Sequence, residues 1–132
     1  MSEFEGFILR IATRQWVNQV FGTAIYFTNL RRKWKRGQTV LFVHKTSLGD
    51  ALVGYGPIER VWEKDELPEH DREACERGEW KRALEFQYVR RFDKPLPVKE
   101  TFLKGSKLRG RCFHGLKLSK DHLKEVLAQA EA

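Results

Sequence analysis

The hydrophobic pattern of the chain centres on residues 37–62. Val40, Leu41, Phe42 and Val43 form an unbroken apolar run, β-branched and aromatic, which predicts a strand buried on both faces. Turn-forming residues follow at Thr46 to Asp50, and residues 51–58 make a second β-prone run, so the two predict an antiparallel pair joined by a loop of about five residues. Gly54 and Gly56 inside that second strand imply a bulge, a bend or close approach of another backbone, and Pro57 excludes a regular central ladder there. A strand bent in this way suits the corner of a small closed barrel.

Around this pair the pattern alternates between sheet and helix. Residues 7–11 predict a first strand. Thr13 then caps a helix whose apolar stripe is Trp16, Val17, Val20 and Phe21, with Gln15, Asn18 and Gln19 on its polar side and Gly22 at its C-terminal stop. Residues 23–28 predict a short strand. Pro68 and Gly78 bracket an exposed acidic helix over residues 69–77. Residues 83–92 alternate as one half-buried strand, with Leu84, Phe86 and Tyr88 inward, ended by Pro95 and Pro97. One helical turn over residues 98–103, a loop over 104–110, a strand over 111–118 and a helix capped by Ser119, with Leu123, Val126, Leu127 and Ala130 on its apolar stripe, complete the order. Together these elements predict an α+β fold: a small mixed or antiparallel β-barrel with flanking helices.

At 132 residues the chain is expected to be one domain over its full length. The apolar runs are far too short to span a membrane, and the first residues do not read as a signal peptide, so the expectation is a soluble cytoplasmic protein, monomeric and without membrane association. Cys75 and Cys112 lack CxxC spacing and no His is spaced for a metal, so no metal or cofactor is expected. A charged content of 33% with a single Met and few Asn fits a heat-adapted source.

The net charge of +7 is unevenly distributed. Residues 59–79 hold nine acids against four Lys or Arg, so the rest of the chain carries a surplus of twelve cations. These concentrate at Arg31, Arg32, Lys33, Lys35 and Arg36, and again at Lys104, Lys107, Arg109 and Arg111. Like charges so grouped repel one another unless they face solvent or a polyanion, and a phosphate backbone is the natural partner.

The four tryptophans divide by context. Trp16 falls on the apolar stripe of a helix and reads as core. Trp34, flanked by Lys33 and Lys35, either stacks on a base or tucks under the sheet. Trp80 and Tyr26 stand at two loop–strand junctions, where a pair of aromatic rings can clamp a flat heterocycle.

Several stretches resemble the PUA-like superfamily and, within it, the EVE and YTH domains. Ala24-Ile25-Tyr26-Phe27-Thr28 is similar to the family segment in which an Ile-Trp pair precedes a small or hydroxyl residue, Tyr26 standing where the first cage tryptophan would be. Trp34 to Phe42 resembles the EVE pattern of a basic residue, Gly, Asp and a strand, and Val53-Gly54-Tyr55-Gly56 its Val-Gly neighbour. The segment from Trp80 to Val89 is similar to the YTH stretch that carries a second cage wall, and residues 118–127 look like the closing helix. The resemblance covers nearly the whole chain and implies a module that reads a flipped-out modified base, such as N6-methyladenine, in RNA or single-stranded DNA. Tyr26 and Trp80 would hold the base, with Thr13, Gln15, Asn18, Thr28 and Trp34 around it. Arg10, Arg31, Arg32, Lys33, Lys35, Arg36, Lys81, Lys107, Arg109 and Arg111 would face phosphates.

The alternative is an ASCH-type amidohydrolase acting on a modified nucleoside, with Lys45, Thr46 and Glu59 as its lysine, hydroxyl and carboxylate. His44 and His114, in strands, read instead as hydrogen-bonded structural residues.

Overall fold

A computed structural model of the chain describes residues 6–30, 34–47, 49–101 and 116–130. Among these residues seven strands pair in the order β2-β5-β4-β3-β1-β7, with β6 joined to β4 off this path. The strands are β1 (Gly6–Arg10), β2 (Ile25–Thr28), β3 (Thr39–Thr46), β4 (Gly49–Glu63), β5 (Arg82–Phe86), β6 (Arg90–Pro97) and β7 (Leu116–Leu118). Helices α1 (Arg14–Thr23), α2 (Glu69–Arg77) and α3 (Lys120–Ala130) join them, with single 3-10 turns at Lys64–Glu66 and Val98–Glu100. β1 and β3 run parallel and every other pair is antiparallel, so the sheet is mixed.

The run at residues 40–43 fills both faces of the sheet, as its composition dictates. Leu41 and Val43 join Ile8, Leu52, Leu118, Leu123 and Val126 beneath α3, while Val40 and Phe42 join Leu9, Val20, Ile58, Leu84 and Phe86 on the face covered by α1. A third cluster, Phe27, Leu67, Cys75 and Ala83, seats α2. Removing this much apolar surface from water is the main favourable contribution to folding.

β4 organises the rest because it changes partners along its length. Residues 51–55 pair with β6, residues 58–63 with β5, and residues 49–57 with β3. The exchange occurs at Gly56 and Pro57, where the chain opposite also leaves the ladder: Gln87 N donates to Pro57 O at 2.9 Å. A side chain at Gly54 would collide with the Phe21 ring and the Arg90 carbonyl oxygen, and one at Gly56 with the Tyr88 carbonyl oxygen. Close approach of neighbours, one of the readings open for those glycines, is what they serve.

Several expectations are revised. The strand expected over residues 83–92 is two, β5 and β6, since the chain must follow the bend of β4. Tyr88, placed inward by alternation, lies in that break and is 53% exposed. β6 continues through Pro95 and Pro97, which its edge position permits. The loop between β3 and β4 is tighter than five residues: Thr46 already pairs with Gly49, whose φ of 92° closes the turn. Helix α1 does not stop at Gly22. It continues through Thr23, and Ala24 takes the left-handed cap at φ 60° with its N–H on Val20 O. The caps at Thr13 and Ser119 and the span of α2 are as expected. The loop over residues 104–110 and the strand's start over 111–115 lie outside the described residues, as do Cys112 and His114.

The sheet is open rather than a closed barrel. Among the described residues β2 pairs only with β5, and β1 only with β3 and β7. Where β1 and β2 would meet to close it, a side-chain contact spans the gap, from Tyr26 Oη to the Arg10 carbonyl oxygen at 3.3 Å.

Two glycine substitutions check this arrangement in opposite directions. Gly54→Ala is expected to lower stability by roughly 2–3 kcal/mol through overpacking, whereas Gly22→Ala, with open space around its Cβ, is expected to raise it by about 0.5–1 kcal/mol as a helix-interior change. Urea denaturation measures both. A destabilised Gly22→Ala would return the left-handed cap to residue 22.

Candidate nucleic-acid interface

The gap between β1 and β2 holds a cavity of about 520 Å³. Its walls come from three consecutive pieces of chain: the end of β1 (Arg10, Ile11), the start of α1 (Thr13, Trp16) and β2 with the residues after it (Tyr26 to Leu30). Trp80, from the segment between α2 and β5, closes the remaining side.

Each wall is fixed by local chemistry. Thr13 accepts the Trp16 N–H at 3.2 Å, so the cap that begins α1 also sets the first turn from which Trp16 projects. The Trp16 and Trp80 rings meet edge to face, 5.9 Å apart at 89°, and Trp16 packs on Phe27 in the same manner at 6.4 Å and 79°. Tyr26 leans on Phe42 at 6.4 Å, and burial pushes its phenol far above the usual range, so it remains a neutral hydrogen-bond donor.

Trp80 is held by its backbone. Its N–H donates to Cys75 O at 2.8 Å, and Cys75 Sγ donates to Trp80 O at 3.3 Å. Cys75 is fully buried, and this desolvation raises its thiol pKa, which keeps it a donor. A side chain at Gly78 would run into Trp80 Nε1, so the glycine that ends α2 is also the seat of the indole. Glu79 adopts φ 57° to make the connection.

Arg82 ties both sides of the cavity together. It is 7% exposed; Nη1 donates to the carbonyl oxygens of Asn29 and Leu30 at 2.9 and 3.0 Å, and Nε meets Glu63 Oε1 at 3.3 Å. Asn29 in turn donates from Nδ2 to Glu79 O at 3.2 Å, one residue before Trp80. A guanidinium distributes donors over a fork in this way; a lysine does not.

Of the residues expected to hold a base, Tyr26, Trp80, Thr13 and Thr28 line this one cavity. Three do not. Gln15 lines a neighbouring groove, Asn18 accepts from Arg91 on the outer side of α1 at 3.3 Å, and Trp34 packs on Phe7 at 4.7 Å with its indole nitrogen shielded from water. Trp34 therefore tucks beneath the sheet, the second of its two readings. Trp16, read as core, is instead a half-buried wall of the cavity. Helical periodicity places it beside Val17 and Val20 without saying which flank of the stripe opens to solvent; its position three residues after the cap was the available signal.

Among the expected phosphate contacts, Arg10 lines the cavity and lies 4.0 Å from Asp50. Lys35 and Lys81 are exposed, and Arg36 is exposed and pairs with Glu59 at 3.1 Å. Arg31, Arg32, Lys33, Lys107, Arg109 and Arg111 lie outside the described residues. The proposed hydrolytic set does not converge. Lys45 and Thr46 stand at the turn end of the β3–β4 pair, and Glu59 lies beyond its other end, nine residues along β4 from Asp50, the partner of Lys45, or roughly 30 Å along the strand at about 3.3 Å per residue. His44 is structural, its Nδ1 2.8 Å from Ile11 O. Among the described residues no group of His, Cys, Asp and Glu is placed to hold a metal, and no helix is long and apolar enough to cross a membrane.

No protein-family model and no curated protein matches the chain. Solved structures do. The ASCH protein from Zymomonas mobilis superposes with a TM-score of 0.66 at 9% identity, covering 94% of each chain. A point variant of that protein superposes with a TM-score of 0.61 at 10% identity, over 94% of this chain and 97% of its own. The likeness is one of fold: the chain shares the α+β architecture of these ASCH structures.

Replacing Arg82 by Met keeps its length and removes every donor. The change is expected to cost roughly 2–4 kcal/mol, because the Asn29 and Leu30 carbonyls lose their partner. Urea unfolding measures it, and a midpoint within 0.5 M of wild type, corresponding to about 1 kcal/mol, would show that Arg82 does not hold the cavity's rim.

Proposed function

We propose that the chain is a nucleic-acid-binding module whose cavity receives a base turned out of single-stranded RNA, with a preference for a modified base such as N6-methyladenine. The observation that carries the reading is the meeting of Tyr26, Trp16 and Trp80 around one open cavity beside Arg10. Its volume lies within the roughly 300–1,000 Å³ of ligand sites, and its lining is mostly apolar with a few polar groups, as such sites require.

The chemistry follows from those walls. Two indoles at right angles present one face and one edge, so a flat heterocycle can stack on the first and press its rim against the second. An N-methyl group on that rim fills an apolar corner that water hydrates poorly. The Thr13 hydroxyl, which accepts the Trp16 N–H, can donate its proton to a base, while the Tyr26 hydroxyl, whose proton goes to the Arg10 carbonyl oxygen, can only accept; that of Thr28 accepts the Leu30 N–H at 3.0 Å. Phosphates flanking the base would meet Arg10 and Lys81, and the basic run Arg31, Arg32 and Lys33 follows directly in sequence on Leu30 of the cavity wall. The fold shared with the ASCH domain is compatible with this reading, while the separation of Lys45 and Thr46 from Glu59 removes the support for the hydrolytic alternative.

Base reading and backbone attraction are expected to separate by mutation. Trp80→Ala should weaken binding of an oligonucleotide carrying one N6-methyladenine by roughly ten- to a hundredfold, the scale of one lost aromatic stack, and should erase the preference over unmodified adenine while leaving the salt dependence unchanged. Changing Arg31, Arg32 and Lys33 together to Gln should keep the preference and flatten the log–log salt slope by about 2, at roughly 0.7 per phosphate contact. Fluorescence anisotropy across a salt series reads both. Equal loss of preference and of salt slope in the two variants would refute this division of labour.

A further inference from the structure

Tyr26 contributes to the cavity in a different way from the two tryptophans. Its side chain is buried among Leu9, Val20, Phe42 and Leu84, leaning on the Phe42 ring at 32°, whereas Trp16 and Trp80 are half-buried. The faces of the phenol are therefore taken up by the core, and a flat heterocycle has no access to stack on them. What Tyr26 brings to the opening is its oxygen. Oη is the atom that spans the gap between β1 and β2 to reach the Arg10 carbonyl oxygen at 3.3 Å, and both residues line the cavity in that gap.

The direction of that bond fixes what the oxygen can do. A carbonyl oxygen has no proton, so the Tyr26 hydroxyl donates the single one it has, and toward any other group it offers only lone pairs. Burial holds the phenol neutral. The threonine hydroxyls of the cavity behave otherwise. Those of Thr13 and Thr28 accept backbone N–H groups, from Trp16 at 3.2 Å and from Leu30 at 3.0 Å, which engages a lone pair and leaves the proton to turn toward a ligand. Such a hydroxyl tolerates a donor or an acceptor opposite it. The Tyr26 oxygen tolerates only a donor.

We infer that Tyr26 sets which modified bases the cavity accepts, its oxygen taking a hydrogen bond from the N–H that remains on an exocyclic amine carrying one substituent. This deepens the proposed function and rests on it. The ligand class is a base with a secondary exocyclic amine, N6-methyladenine among them, lying against an indole with its N–H directed at the gap between β1 and β2. Two close relatives are disfavoured. A dimethylated amine has no proton to give, and an O-methyl group in place of the N-methyl sets an oxygen lone pair against the Tyr26 oxygen. Tyr26 can meet that lone pair only by withdrawing its proton from the Arg10 carbonyl, which exchanges one hydrogen bond for another with no net gain. An unmodified amine also carries an N–H, so the preference over plain adenine stays with the methyl group and the Trp80 ring, while Tyr26 discriminates among the substituted bases.

Isothermal titration calorimetry tests this with the monophosphates of N6-methyladenosine, N6,N6-dimethyladenosine and 6-methoxypurine riboside, the last differing from the first by an oxygen in place of the N–H. The wild-type protein is expected to bind the N6-methyl compound about tenfold more tightly than either of the others, the scale of one hydrogen bond lost with its acceptor left unmatched. Tyr26→Phe keeps the ring and removes the oxygen, so it should bind the N6-methyl and methoxy compounds within about twofold of each other. The wild-type comparison is decisive whether or not the variant folds. Equal wild-type affinity for the N6-methyl and methoxy compounds, or a preference that survives in Tyr26→Phe, overturns the inference and leaves the reading of the cavity intact. Failure of N6-methyladenosine monophosphate to bind the wild-type protein refutes both.

Discussion

The cavity exists because one guanidinium is buried where three pieces of chain converge. Arg82 opens β5, yet its donors are spent on the residues that follow β2 and on a carboxylate at the end of β4. Carbonyl groups at the end of an edge strand need donors once water is excluded, and a single planar fork supplies them for both Asn29 and Leu30. The hydrogen bond from Asn29 to Glu79 then passes the same constraint to the segment bearing Trp80. Two walls that are 50 residues apart in sequence are thus positioned by one side chain and one amide.

The second constraint is the bend in β4. Gly54, Gly56 and Pro57 let one strand serve β3, β6 and β5 in turn, which swings the β5–β2 pair away from the main sheet. The opening this leaves between β1 and β2 is filled on one side by α1 and remains hollow on the other. A sheet that had closed into a barrel would have paired those strands and eliminated the cavity. The open edge and the half-buried position of Trp16 are therefore consequences of the same three residues.

Much of this was legible in the sequence where the physics is local. The apolar run at residues 40–43 announces burial on both faces, Pro68 and Gly78 bound α2, and Ser119 caps α3, because each depends on neighbours within a few positions. The aromatic character of Tyr26 and Trp80 at strand ends was also visible, and the fold brings both to one cavity. What failed was long-range. Alternation from Leu84 to Tyr88 has no knowledge of the bend in β4 that breaks it. The stripe of α1 does not reveal that Trp16 faces an opening while Val17 and Val20 face the core. Arg82 carries no signal of its own, since a buried arginine reads in sequence like any other cation, and its role appears only when the carbonyls it serves are in place.

The central claim is that the rings of Trp16 and Trp80 are the surface that meets a base, and that Trp34 and Trp62 are not. Trp62 donates from Nε1 to Glu85 at 2.8 Å and lies under the Arg60 guanidinium at 3.6 Å, while Trp34 is packed on Phe7. The four indole N–H resonances in a nitrogen–proton correlation spectrum report on each ring separately. Titration with N6-methyladenosine monophosphate should shift the Trp16 and Trp80 signals together and leave those of Trp34 and Trp62 in place. Shifts at Trp34 or Trp62 with none at Trp80 would contradict the account.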